Sequence, residues 1–158
     1  MSTDPLRLTF DIECPVEHAF DVWTARLSSW WPKGHSSSGN PETVVTLEPA
    51  LGGRIFERTP DGTEIDWGEI TAWEPPHRLG YVWHIGRDRG DATDVELTFA
   101  DRGDGTTRLE IVHSGWERLG TEGSSWREAN TNGWTALIPA FVAAAERWVT
   151  SSSAGFEE

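Results

Sequence analysis

The order of hydrophobic periodicities constrains this chain most. One stretch of period two comes first and a helical stripe follows. About six more stretches of period two come next, and a long helical stripe closes the sequence. Leu6, Leu8, Phe10 and Ile12 alternate with Arg7, Thr9, Asp11 and Glu13, the pattern of a half-buried strand. Val16, Ala19, Phe20, Trp23, Leu27, Trp30 and Trp31 then recur at helical spacing, so one face of 16–31 is predicted to pack inward. Pro15 suits a first helical turn, and Pro32 and Gly34 end the helix or break it in two. After a Ser- and Gly-rich loop from Pro32 to Pro41, strand signals lie at 44–48, 54–58, 63–73, 78–85, 94–99 and 107–113. Gly52-Gly53, Pro60-Asp61-Gly62, Pro75-Pro76 and Gly103-Asp104-Gly105 punctuate them, each a turn by residue chemistry.

In the closing stripe, Ser125-Trp126-Arg127-Glu128 reads as a capping box with Ser125 as N-cap. Trp134, Leu137, Phe141, Ala144 or Ala145, and Trp148 fall on one face. Two residues break helix rules there: Pro139 predicts a kink, and Gly133 predicts the close approach of another surface. Short turns make the six strands an antiparallel meander, and the fold class is α+β. The expected architecture is a curved antiparallel sheet of about six to seven strands wrapped around a long C-terminal helix. One or two short helices follow the first strand, and a cavity fits between sheet and helix. Residues 1–150 are read as a single domain and 151–158 as a flexible tail.

Charge and cysteine usage narrow the function classes. With Lys+Arg at 13 and Asp+Glu at 26, the net charge is −13. That balance argues against nucleic acid and against an anionic membrane surface as partners. No apolar run reaches membrane-spanning length. Met1 to Thr9 has no apolar segment behind a basic start, so a cytoplasmic protein is expected. The single cysteine, Cys14, forms no internal disulfide and no cysteine metal site. No His-X-His pair or His-Glu-X-X-His occurs, so neither metal nor cofactor is expected.

Ten tryptophans in 158 residues are the unusual feature. Trp23, Trp30, Trp134 and Trp148 fall on the inward helical stripes, and Trp83 alternates with Leu79 and Tyr81. Each indole can simply fill the core. Several together can line a pocket for an aromatic or apolar molecule, offering flat faces and one N–H each. The candidate cavity residues are Trp30, Trp67, Tyr81, Trp83, His113, Trp134 and Phe141. His113 follows Leu109 and Ile111 in period two and should point inward, as a structural imidazole or a titrating one. His84 should face outward. Trp67 and Trp73 share a strand face with Glu69 and Thr71. Without a bulge that face or its opposite is outward, which makes a tryptophan patch for a partner such as a homodimer mate. Asp66 and Glu69 read as a solvated strand edge before an acid–base pair. No nucleophile, base and orienter set is visible.

Several of these pieces together resemble the helix-grip superfamily (START-like, Bet v 1-like). The resembling branch is that of bacterial single-domain proteins related to the C-terminal domain of the Hsp90-ATPase activator. The pieces are Trp30-Trp31-Pro32 before His35-Ser36, Gly52-Gly53-Arg54, Trp67-Gly68-Glu69-Ile70, and Pro75-Pro76-His77-Arg78-Leu79 with Trp83. Leu109 to Glu117, containing His113-Ser114-Gly115-Trp116-Glu117, and Gly133-Trp134 complete them, over about residues 7–149. The resemblance implies a β-α-α-β6-α fold with a cavity under the last helix. It implies no single function: relatives bind hydrophobic small molecules, cyclise polyketides or stimulate the Hsp90 ATPase. The leading expectation is binding of a small hydrophobic or aromatic molecule, without a recognisable catalytic motif. A polyketide cyclase or dehydratase using His113, Tyr81 and a carboxylate is the alternative. A protein-interaction module comes third, because no N-terminal Hsp90-docking domain accompanies the match.

Overall fold

A computed structural model describes residues 3–32, 40, 42–85 and 89–156, with residues 89 and 148–156 described by backbone alone. His35, Ser36 and Gly34 lie outside the described residues, as does the side chain of Trp148. The elements follow the predicted order. They are β1 (Leu6–Ile12), α1 (Val16–Trp23), α2 (Leu27–Trp30), β2 (Val44–Leu47), β3 (Arg54–Arg58), β4 (Glu64–Glu74), β5 (Arg78–Trp83), β6 (Thr93–Asp101), β7 (Thr107–Ser114) and α3 (Gly123–Phe156). The strands form one seven-stranded sheet in the order β1-β7-β6-β5-β4-β3-β2, antiparallel throughout. The helix-grip architecture expected from the sequence is therefore present.

Alternation decides which side chains meet α3. Leu79 and Tyr81 on β5, Val95, Leu97 and Phe99 on β6, and Leu109, Ile111 and His113 on β7 are all buried. Their neighbours Glu96, Thr98, Arg108 and Glu110 are exposed, so one face of the sheet is core and the other is solvated. On the solvated face charges pair across strands. Arg54 reaches Glu64 at 3.2 Å and Asp66 at 3.3 Å, and Arg108 reaches Asp11 at 3.0 Å. Asp66 and Glu69 are exposed there. α3 is tied down near both ends: Arg127 Nε donates to the Asp4 carbonyl at 2.7 Å, and the Glu13 backbone N–H donates to Glu146 Oε2 at 3.0 Å.

Two bulges on β4 resolve the tryptophan-face question. Ile55 pairs with Gly68 and Phe56 with Asp66, which leaves Trp67 as an extra residue. Ile70 pairs with Tyr81 and Ala72 with Gly80, which leaves Thr71 as another. Each extra residue shifts the inward phase by one, so Trp67 is fully buried, Ile70 is buried three positions on, and Trp73 is half-buried. Gly68 is required at the first bulge, because a Cβ there would come within 2.1 Å of the Val82 carbonyl oxygen. The tryptophan patch expected on this strand does not form. Trp73 packs edge-on against Phe20 at 5.2 Å. The exposed large hydrophobics among the described residues are Val44 and Leu51.

Three further local expectations need correction, at the first helical stripe, the α3 cap and His84. The first helical stripe is broken at Thr24–Arg26, before any proline, and Thr24 Oγ1 donates to the Phe20 carbonyl at 2.7 Å to close α1. α3 begins at Gly123, and Ser125 Oγ donates back to the Glu122 carbonyl at 2.9 Å, so Ser125 is not its cap. α3 continues as one helix through Pro139 to Phe156. Pro139 and Thr135 both face solvent, so the carbonyl that loses its helical donor can bond water. His84 is buried, at 7% exposure.

Candidate functional site

The candidate site is a void of about 220 Å³ between β5 and the first half of α3. Trp23 from α1 and Trp31 just after α2 close it at one side. Tyr81 and Trp83, alternate residues of β5, and Ile85 beyond them form the floor. The roof is one face of α3, set by the spacing of Trp126, Asn130, Trp134 and Leu137, with Ala129 and Gly133 between them. Among the described lining residues five are tryptophans, and none carries a charged side chain. Such a lining favours a flat, uncharged guest, because a charged group would be stripped of water without a partner.

Gly133 has a specific part in this geometry. Its φ is not in the left-handed region, and nothing lies within 4 Å of where a Cβ would stand. The close approach expected at this glycine is absent, and the space beneath it is the cavity. A helix-interior glycine costs about 1 kcal/mol relative to alanine, and neither packing nor backbone conformation requires it here.

Of the seven cavity residues proposed from sequence, Tyr81, Trp83 and Trp134 line this void. Trp30, Trp67, His113 and Phe141 form a packed layer behind it. Trp30 is held by its indole N–H on the Val22 carbonyl at 2.8 Å, and Trp67 by its N–H on the Glu57 carboxylate at 2.8 Å. Phe141 is fully buried, edge-on to Trp23 at 4.8 Å and to Trp30 at 5.3 Å. Sequence reasoning missed Trp23, Trp31, Ile85, Trp126, Ala129, Asn130, Gly133 and Leu137 as lining. The available signal was the spacing of 126, 130, 134 and 137, hidden when Trp126 was assigned to a cap.

His113 is a clamp for the cavity wall. It is fully buried on β7, and its Nδ1 accepts from the Trp134 indole N–H at 3.1 Å. An indole nitrogen only donates, so the imidazole proton sits on Nε2, which reaches Thr93 Oγ1 at 2.7 Å. Thr93 Oγ1 donates onward to the Trp83 carbonyl at 3.3 Å. One neutral ring therefore connects both Trp134 and Trp83. Burial pushes its pKa down to about 3, since nothing nearby favours the cation. Tyr81 is the titratable group among the described lining residues, and burial raises its pKa while a hydrogen bond from Trp23 opposes the shift. Cys14 is buried elsewhere, its thiol pushed up to about 11 by burial.

A curved sheet gripping a C-terminal helix over an aromatic-walled void defines the helix-grip class of proteins. The chain belongs to the family described as Activator of Hsp90 ATPase homolog 1-like protein, whose model matches residues 13–146. Among solved structures it is similar to Txn09, an anthrahydroquino-gamma-pyrone synthase, at 36% identity over 77% of this chain and 82% of that one, with a TM-score of 0.58. It is similar in fold to CalC, a self-sacrificing resistance protein from Micromonospora echinospora, at 21% identity over 92% of this chain and 96% of that one, TM-score 0.67. Protein MLL2253 from Mesorhizobium loti shares the fold at 20% identity over 91% of this chain and 98% of that one, TM-score 0.67. No curated protein matches the sequence. Among the described residues no helix is long and apolar enough to cross a membrane.

Proposed function

We propose that this chain binds a small planar aromatic molecule in the void between β5 and α3. The observation that carries the reading is the wall of five indoles around about 220 Å³, with no charged side chain among the described lining residues. Pockets for drug-sized ligands measure roughly 300–1,000 Å³, so a guest for this smaller void is compact, on the scale of two or three fused rings. Titration with planar tricyclic aromatics and with a saturated fatty acid, read by tryptophan fluorescence, tests this. Saturable quenching by the aromatics is expected. Binding of the fatty acid alone, or of neither, overturns it.

A second reading is favoured by one finding, the 36% identity to Txn09, whose name is that of a γ-pyrone synthase. In this reading the void holds an aryl 1,3-diketone folded so that a ring hydroxyl meets a chain carbonyl. The hydroxyl oxygen adds to that carbonyl and water leaves, closing the pyrone without any redox change. The Tyr81 phenol would polarise a carbonyl from the wall. The sequence alternative had assigned proton transfer to His113 and a carboxylate as well. His113 lies behind the wall and none of the described lining residues is a carboxylate, so binding is the first reading. Chromatography of a 2-hydroxyaryl 1,3-diketone incubated with the protein separates the two. Pyrone formation proportional to protein concentration favours the enzyme, and an unchanged background rate favours the binder.

A further inference from the structure

Among the described residues, two polar side chains stand in the otherwise apolar wall, and their hydrogen-bonding capacity is committed differently. Asn130 spends an amide N–H on the Trp126 carbonyl at 2.9 Å, one turn back in its own helix. Tyr81 sits in mid-β5, 4% exposed, with its ring centroid 5.6 Å from that of Trp83. Its hydrogen-bond neighbour is the Trp23 side chain. An indole N–H can only donate, so the phenol oxygen is the acceptor in that contact and its own proton needs a different partner. Among the described residues no acceptor meets that proton. A buried donor left unmet is costly, whereas the same ring as phenylalanine would fill the wall without that cost. Burial also keeps the group a phenol, a donor, at neutral pH. The described lining residues hold no cation, so an anionic acceptor among them would be desolvated without compensation, and the fitting partner is an uncharged oxygen.

We propose that Tyr81 is the polar anchor of the cavity, donating its hydroxyl proton to a neutral carbonyl oxygen of the ligand, so that the site selects aryl ketones and quinones over hydrocarbons of the same shape. The proposal rests on the reading of this void as an aromatic-binding site. It makes Tyr81 a specificity-determining residue.

The test uses 9-fluorenone and fluorene, two rigid tricycles that differ by one carbonyl oxygen, with the protein and its Tyr81→Phe variant. Dissociation constants come from calorimetry, and unfolding temperatures confirm that the variant folds. The quantity read is the preference for fluorenone over fluorene. One hydrogen bond is worth a preference that falls by up to about tenfold when the hydroxyl is removed. Fluorene should bind the variant as well as it binds the parent, which doubles as the check on an intact cavity. An equal preference in parent and variant overturns the anchor while leaving aromatic binding standing; a water-satisfied phenol gives this result. Failure of both tricycles to bind the parent overturns the aromatic-site reading and the anchor with it. Should the variant not fold, the parent alone decides: fluorene bound more tightly than fluorenone rejects the anchor, and the reverse sustains it.

Discussion

The two halves of α3 cover the same sheet with similar side chains and opposite results. Over the C-terminal half, Phe141 and Ala145 are fully buried, and Phe141 packs edge-on against Trp23 and Trp30. Over the N-terminal half, Trp126, Asn130 and Trp134 roof about 220 Å³. Trp23 stands at the boundary, its ring 6.0 Å from Trp134 on one side and 4.8 Å from Phe141 on the other. Aromatic content does not separate the halves, since both are rich in it. The difference lies in Ala129 and Gly133, which leave the roof thin where the other half sends down Phe141. Large rings cannot collapse into a gap this shape without leaving their rotamers, so small residues opposite them leave space.

The largest effect expected from this contrast is at Phe141. Phe141→Ala should lose about 3–5 kcal/mol of stability in urea unfolding, the usual cost of emptying a packed aromatic site. Trp126→Ala, at the half-buried mouth, should cost clearly less. Equal losses would mean that the roof is packed as tightly as the sealed half.

Next in size is the pH response of the clamp. The folded-state pKa of His113 lies near 3, below its ordinary 6.5. The unfolded chain therefore binds more protons between those values. The stability from the neutral ring is complete above about pH 6.5 and declines as pH falls toward 3, by up to about 1.4 kcal/mol per unit. His18, also lowered by burial, adds in the same direction. Urea midpoints from pH 7.5 to 4.5 should fall, with the slope reduced in His113→Asn. That window stays above the carboxylates held low by arginine, such as Asp11 and Glu64. A flat profile would remove the neutral clamp from the account.

Smaller again is Gly133→Ala, with a sign that sharpens the comparison. It should raise stability by about 1 kcal/mol while weakening aromatic ligands, and Gly133→Leu should abolish their binding in a folded protein. Unimpaired binding in Gly133→Leu would place the guest elsewhere. The smallest effect is on the solvated face. Arg78 pairs with Glu74 at 2.6 Å and Glu96 at 2.5 Å in open water. Arg78→Ala should shift the urea midpoint within measurement error, because exposed pairs are screened and entropically costly.

Tyr81, Trp83 and Trp134 were legible as inward residues because alternation on β5 and the stripe on α3 fix direction locally. Trp30 and Trp31 were not separable in this way. The break after Trp23 resets the helical phase, so Trp30 turns to the core and Trp31 to the void. Trp67 was ambiguous because a bulge is a property of two strands, invisible in one. His113 was read correctly as inward, but its role depends on partners 20 and 21 residues away.

The sequence by itself determined the element order, the strand faces and the resemblance that named the superfamily, because period, turn chemistry and motif are local. Only the tertiary structure decided which indoles fill and which enclose. A void is set by what is missing opposite a side chain, and here α3 brings the small Ala129 and the bare backbone of Gly133 to the same void as Tyr81 and Trp83 from some fifty residues along the chain.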